Sequence, residues 1–116
     1  MKKVYYNTTK YYSDYNLTDK MIECGDKCVL SNKLYIKKRI KENGLILEEN
    51  KFLKFPEIYS IPGEIIKNLS GGKYLVLISK DVKESNLNEN DIVRVDRNKF
   101  RLLEDNDWFK LVYDII

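Results

Sequence analysis

The stretch that decides the fold is residues 74–109, YLVLISKDVKESNLNENDIVRVDRNKFRLLEDNDWF. It begins with a continuous apolar run, which is typical of a strand covered on both faces. A polar, turn-rich segment then leads to the short runs DIVRV and KFRLL, which are separated by a turn at Asp96-Arg97-Asn98-Lys99. Short apolar runs at near-regular spacing predict a mainly β chain, folded as a small antiparallel barrel or sandwich with one short helix or helical turn.

The end of the chain continues this pattern. In residues 108–116, WFKLVYDII, every second residue from Phe109 to Ile115 falls on one face of an extended chain. This alternation predicts a last strand, preceded by a turn at Asp105-Asn106-Asp107.

A hairpin is predicted upstream. Apolar and basic residues largely alternate in KLYIKKRI at residues 33–40, and Asn43-Gly44 suits the positive φ angles of a two-residue turn. We therefore expect residues 33–42 to pair with residues 45–55. The competing interpretation is a helix over residues 33–42, capped by Gly44.

The segment SIPGEIIKNLSGG, residues 60–72, carries helix signals. Ser60 is a possible cap, Pro62 lies near a first turn, and Gly71-Gly72 is a possible stop. We thus expect a single domain over residues 1–116. It comprises N-terminal strands and the hairpin over 1–55, a loop or short helix over 56–72, and a β-meander over 73–116.

Composition restricts the function classes. The chain has 116 residues, of which 43% are apolar, and no run is long and apolar enough for a membrane helix or a signal peptide. The net charge of +3 divides into +4 for residues 1–58 and −1 for residues 59–116. This charge is milder than that of a dedicated nucleic-acid binder. It favours a surface that contacts proteins, and we expect no membrane contact.

The sequence contains no recognisable catalytic motif. The sequence lacks histidine, a nucleophile turn and a spaced acidic cluster. Cys24 and Cys28 supply too few ligands for a structural zinc site, and we expect them to be reduced and half-buried near a turn. We expect no enzymatic activity, no metal and no cofactor.

A nucleic-acid hypothesis rests on the first residues, where aromatic rings lie beside cations as in single-strand binders. The candidate contacts are Tyr5, Tyr6, Lys10, Tyr11 and Tyr12.

Residues 74–109 resemble the C-terminal half of small phage head-completion proteins, the head-closure or stopper β-barrels between capsid and tail. The places that carry the resemblance are Leu75 to Ile78, Ser79-Lys80-Asp81, Glu89-Asn90-Asp91-Ile92-Val93, Lys99-Phe100 to Leu103, and Asp107-Trp108. The family often has Pro where Ser79 stands and Gly where Asn90 stands. Asn90 can replace Gly because Asn readily adopts a left-handed conformation.

The resemblance implies a virion structural protein at the head–tail neck, found in the host cytoplasm before assembly. It implies a ring of six copies that contacts the portal or adaptor and tail proteins and helps to retain packaged DNA, which passes transiently through the lumen. The runner-up functions are a small phage or plasmid inhibitor of a host protein and a β-barrel nucleic-acid binder.

A ring needs two different complementary surfaces on each subunit. The basic and acidic groups predicted to meet between neighbours are Lys33, Lys37, Arg39, Lys41, Glu84, Glu89 and Asp91. The residues predicted to form a loop that faces the channel or a neighbour are Pro56, Ile58, Tyr59, Pro62, Gly71 and Gly72. The alternative for that loop is a connection packed over the end of the barrel.

Overall fold

The computed structural model describes residues 22–38, 45–49 and 56–114. The strands are β1 (Lys27–Ser31), β2 (Leu34–Lys38), β3 (Leu45–Glu49), β4 (Tyr59–Ser70), β5 (Lys73–Ile78), β6 (Ile92–Asp96) and β7 (Phe100–Leu102). Short 3₁₀ turns follow at Lys83–Ser85 and Arg97–Lys99, and α1 spans Asp105–Val112. The predicted mainly β fold with one short helix is confirmed, although the helix lies at a different place.

The strands form one sheet in the order β2-β3-β6-β5-β4-β1-β7. Among the described strands only the pair β3–β6 is parallel, so the sheet is mixed rather than purely antiparallel. β1 and β2 lie five positions apart in this order, which would be about 24 Å in a flat sheet. They are joined by only Asn32 and Lys33, which can span about 11 Å. The sheet must therefore curl into a barrel-like shape.

The core lies inside the curled sheet. Alternate residues of β5, namely Tyr74, Val76 and Ile78, are fully buried there. The ring of Tyr74 meets that of Phe100 edge to face, with centroids 5.2 Å apart. The other face of β5 is only half-buried, so the prediction that this strand is covered on both faces is wrong.

The predicted hairpin is confirmed for its described part. β2 pairs antiparallel with β3, with Leu34 opposite Glu49 and Ile36 opposite Leu47. The competing helix is wrong for β2. The turn at residues 43–44 and the predicted continuation over 50–55 lie outside the described residues.

The predicted loop or short helix over 56–72 is wrong, because residues 59–70 form β4, which pairs with both β1 and β5. Ile61 and Ile65 alternate into the core, but register shifts after Ile65 interrupt the period of two. Pro62 lies opposite Val29 in the β1–β4 ladder, but its carbonyl oxygen accepts from the Ser79 N–H, so its nitrogen faces the β5 side, just before the first residue pair of β4 with β5. Gly71 and Gly72, both at positive φ, form the turn into β5 rather than a helix stop.

The predicted last strand is also wrong. Asp105, Asn106 and Asp107 form the first turn of α1 rather than a connecting turn. Their two carboxylates suit the positive end of a helix dipole. The predicted turn at residues 96–99 is confirmed as a 3₁₀ turn, and Asn90 has a φ of 72°, the left-handed conformation expected for it.

Candidate interaction surfaces

α1 is attached to the outer side of the sheet by one face. Leu111 packs with Val29 and Leu103 in a second apolar cluster, against which Tyr59 and Trp108 also lie. This cluster is separate from the core inside the curled sheet, so α1 covers the outer side of β1 and β4.

Polar contacts hold both ends of that attachment. The Lys27 ammonium lies 4.6 Å from the centre of the Trp108 ring and also pairs with Glu64 on β4. Near the end of the helix, the Lys80 ammonium donates to the Leu111 carbonyl oxygen at 3.0 Å and to Asp114 Oδ1 at 2.6 Å. The helix is therefore presented on a fixed support.

The opposite face of α1 exposes two aromatic rings. Phe109 is 49% exposed and Tyr113 is 62% exposed, and their ring centres are 4.5 Å apart. Glu104 and Asp105 are exposed at the start of the same helix. Because Asp105, Phe109 and Tyr113 follow one another at intervals of four residues, they lie along one line of the helix surface. We call Glu104, Asp105, Phe109 and Tyr113 the helix face.

A second apolar area lies on the outer side of β5, β6 and β3. Strand register places Leu77 beside Ile92, and Arg94 between Leu75 and Ile46. Ile92 is 41% exposed, and the three other apolar side chains are half-buried. Together with Lys67, which pairs with Leu75 across β4 and β5, these residues form what we call the sheet face.

The two faces carry opposite free charges. In the described part of the chain, the side chains of Arg94 and Lys67 have no ion-pair or hydrogen-bond partner. The same holds for Glu104 and Asp105. Lys110, exposed beside Phe109, is the cation that adjoins the helix face.

A cleft of about 200 Å³ lies at one end of the curled sheet, with Leu34, Leu47 and Val95 among its lining residues. Two ion pairs, Lys73–Asp96 and Lys99–Glu49, stand at it. These lysines and carboxylates neutralise each other, and Arg94 of the sheet face, which also lines the cleft, leaves one positive charge there.

The residues predicted to join ring neighbours are only partly described. Lys33 is half-buried at the corner between β1 and β2, Lys37 belongs to β2, and Arg39 and Lys41 lie outside the described residues. Glu84 belongs to the 3₁₀ turn Lys83–Ser85, which packs beside β2 of its own chain. Glu89 is exposed, whereas Asp91 is half-buried and accepts a hydrogen bond from the backbone N–H of Asn88. Their pairing between subunits stays a prediction.

The residues predicted as a channel loop do not form a single excursion. Pro56 and Ile58 are held against the corner by Asn32, whose N–H donates to the Ile58 carbonyl oxygen at 2.8 Å. Pro62 is fully buried and Tyr59 packs against the α1 cluster, so only Gly71 and Gly72 remain at a turn. The five predicted nucleic-acid contacts, Tyr5, Tyr6, Lys10, Tyr11 and Tyr12, lie outside the described residues.

The two cysteines differ more than the sequence indicates. Cys24 is exposed and Cys28 is fully buried, and both are free thiols. Burial, which disfavours the thiolate, raises the pKa of Cys28 well above its usual range. Cys28 is thus a small core residue without reactive character. Within the described residues no group of three or more His, Cys, Asp or Glu side chains could hold a metal ion.

Comparison of the chain with protein-family models, with curated proteins and with solved structures gives no match. In the described part of the chain, no helix is long and apolar enough to cross a membrane.

Sequence reasoning missed both surfaces. The strand interpretation of residues 108–116 assigned Phe109 and Tyr113 to the same face as Leu111, whereas the helix separates them. The spacing of four residues between the two rings was a usable signal. Leu75 and Leu77 could not be found in this way, because a continuous apolar run does not reveal that one side of a strand is open.

Proposed function

We propose that this chain is a non-catalytic structural subunit of a phage neck, a head-closure connector that binds other proteins of the virion. The observation that carries the proposal is the helix face. Two large aromatic side chains stand exposed on a helix that is held in place by Leu111 and Lys80. Rigid aromatic anchors on fixed supports are typical of protein-binding surfaces.

The resemblance gives the proposal its specific form. The segments that resemble head-completion proteins correspond to β5, β6 and β7, and Asn90 adopts the conformation for which that family often uses Gly. The last strand implied by the resemblance is replaced by α1. We therefore expect α1 to contact a neighbouring subunit of the neck, which can be a second copy of this chain.

Deletion of the gene from the phage or prophage that carries it tests the proposal. We expect lysates to contain separate heads and tails by electron microscopy, with heads that have lost DNA. Addition of the purified chain should restore tailed particles. The double variant Phe109→Ser/Tyr113→Ser should not restore them, whereas Lys83→Ser, a change at an exposed residue away from α1, should.

Normal tailed particles after deletion would refute the connector. In that case, co-purification of the chain with one host protein would favour an inhibitor. Salt-sensitive binding of single-stranded DNA would favour the nucleic-acid hypothesis.

A further inference from the structure

We propose that the helix face of one copy of this chain binds the sheet face of a second copy, so that copies associate through two different surfaces. The inference concerns the purified chain and is independent of any role in a phage neck. The α1 helix of another subunit is the proposed ligand of the open outer side of β5, β6 and β3.

Apolar complementarity is the first argument. The sheet face offers Ile92, which is 41% exposed, beside the half-buried Leu77 and Leu75. The helix face offers the exposed rings of Phe109 and Tyr113, already in contact with each other. An amphipathic helix laid on an apolar surface buries such rings without a change in the backbone of either partner.

Charge complementarity is the second argument. Arg94 lies inside the apolar area, between Leu75 and Ile46, and Lys67 borders it. Glu104 and Asp105 lie at one end of the aromatic pair. Free cations on one face and free carboxylates on the other favour contact between unlike faces. Contact between two sheet faces would instead place Arg94 and Lys67 of one copy beside Arg94 and Lys67 of the other, and these like charges repel each other.

Placement is the third argument. α1 contacts β1 and β4, whereas the apolar residues of the sheet face lie on β5, β6 and β3, and only Lys67 of that face lies on β4. The helix face is on the side of α1 opposite to Leu111, which packs on the sheet. The two faces share no residue, so each subunit can use both at once. Contacts of this unlike type continue into rings or open chains.

Mixing two variants tests the inference. The helix-face variant is Asp105→Lys/Phe109→Ser, and the sheet-face variant is Arg94→Glu/Ile92→Ser. Sedimentation velocity should show the mass of the unmodified chain rising with concentration above the monomer value of 13.8 kDa. Each variant alone should stay monomeric, with association weakened at least about tenfold. An equimolar mixture should form dimers and stop there, because each dimer retains one intact contact.

Controls separate association from folding. Circular dichroism and urea unfolding should show that both variants remain folded, since all four changed residues are exposed or half-buried. Lys83→Glu and Glu23→Lys, charge reversals at exposed residues outside both faces, should associate like the unmodified chain. A chain with both Asp105→Lys and Arg94→Glu should regain part of the association, because the charges at positions 105 and 94 again have opposite signs and attract each other.

Three results would overturn the inference. The first is an unmodified chain that stays monomeric into the millimolar range. The second is a mixture of the two variants that stays monomeric. The third is loss of association in the helix-face variant alone, which would mean that two helix faces are in contact and that the sheet face takes no part.

Discussion

The ammonium group of Lys80 lies 3.0 Å from the carbonyl oxygen of Leu111, so the segment that leaves β5 is tied to the end of α1. The same ammonium pairs with Asp114, and both side chains are about three-quarters buried. A cation at this position adds a charged donor to a terminal carbonyl that otherwise accepts only from the backbone of the turn after α1, and it interacts favourably with the helix dipole.

Replacement of Lys80 by Met should therefore lower the free energy of unfolding by about 1 kcal/mol. Met preserves much of the apolar stem but removes the charge and the donors. Urea unfolding followed by Trp108 fluorescence measures the effect, since Trp108 is the only tryptophan and lies on α1. Lys83→Met, at an exposed lysine, is the matched control and should change stability by less than about 0.5 kcal/mol. Equal effects of the two changes would contradict a role for the Lys80 contact.

Gly63 is expected to be intolerant of even one added methyl group. A Cβ atom there would lie 2.5 Å from Cγ1 of Val76 and 3.2 Å from the carbonyl oxygen of Leu77. Gly63→Ala should destabilise the protein by about 1–3 kcal/mol through overpacking. Combination with Val76→Ala should cost less than the sum of the two single changes, because the nearest colliding atom is gone. Strict additivity of the urea-derived values would exclude this collision as the cause.

The parts of the fold that were predictable are those in which short-range pattern and burial agree. Leu34 and Ile36 alternate with polar residues, and β2 is a strand with those two side chains buried. The polar turn signals on both sides of β6 were likewise sufficient, because Asn90 and the 3₁₀ turn Arg97–Lys99 bound a strand of only five residues.

The wrong secondary-structure predictions for β4 and α1 have a common cause, which is that packing against neighbouring strands overrides the local sequence pattern. β4 carries helix signals at Ser60 and Pro62, but it lies between β1 and β5, and its register shifts conceal the alternation. α1 has eight residues, too few for a period of 3.6 to differ clearly from a period of two. The burial of Leu111 against Val29 of β1 favours the helix over a strand, and that contact is not visible in the sequence.

Asn90 should tolerate Gly but not Ala. Its φ of 72° is in the left-handed region, which Gly adopts without strain and Ala adopts at a cost of about 1 kcal/mol. Asn88, two residues earlier and not among the positive-φ residues, supplies the comparison. We expect Asn90→Ala to be less stable than Asn90→Gly, and Asn88→Ala to be at least as stable as Asn88→Gly. Thermal unfolding of the four variants measures both differences, and the same order at both positions would contradict the prediction.

The buried thiol of Cys28 should make the protein less stable in alkaline solution. Burial raises the pKa of Cys28, so the folded protein retains a proton that the unfolded chain releases above about pH 8.5. The stabilising effect is therefore complete below the pKa of the unfolded thiol and is lost as the pH rises toward that of the folded thiol. Above the pKa of the unfolded thiol, the free energy of unfolding should fall by about 1.4 kcal/mol per pH unit. Urea unfolding between pH 7 and pH 10 measures it in a Cys24→Ala background, which leaves one thiol. Lysine and tyrosine side chains titrate in the same range, so Cys28→Ala in that background serves as the reference. The two proteins should have parallel stability curves below pH 8 and diverge above it, and curves that stay parallel throughout would show that the thiol ionises equally in the folded and unfolded states.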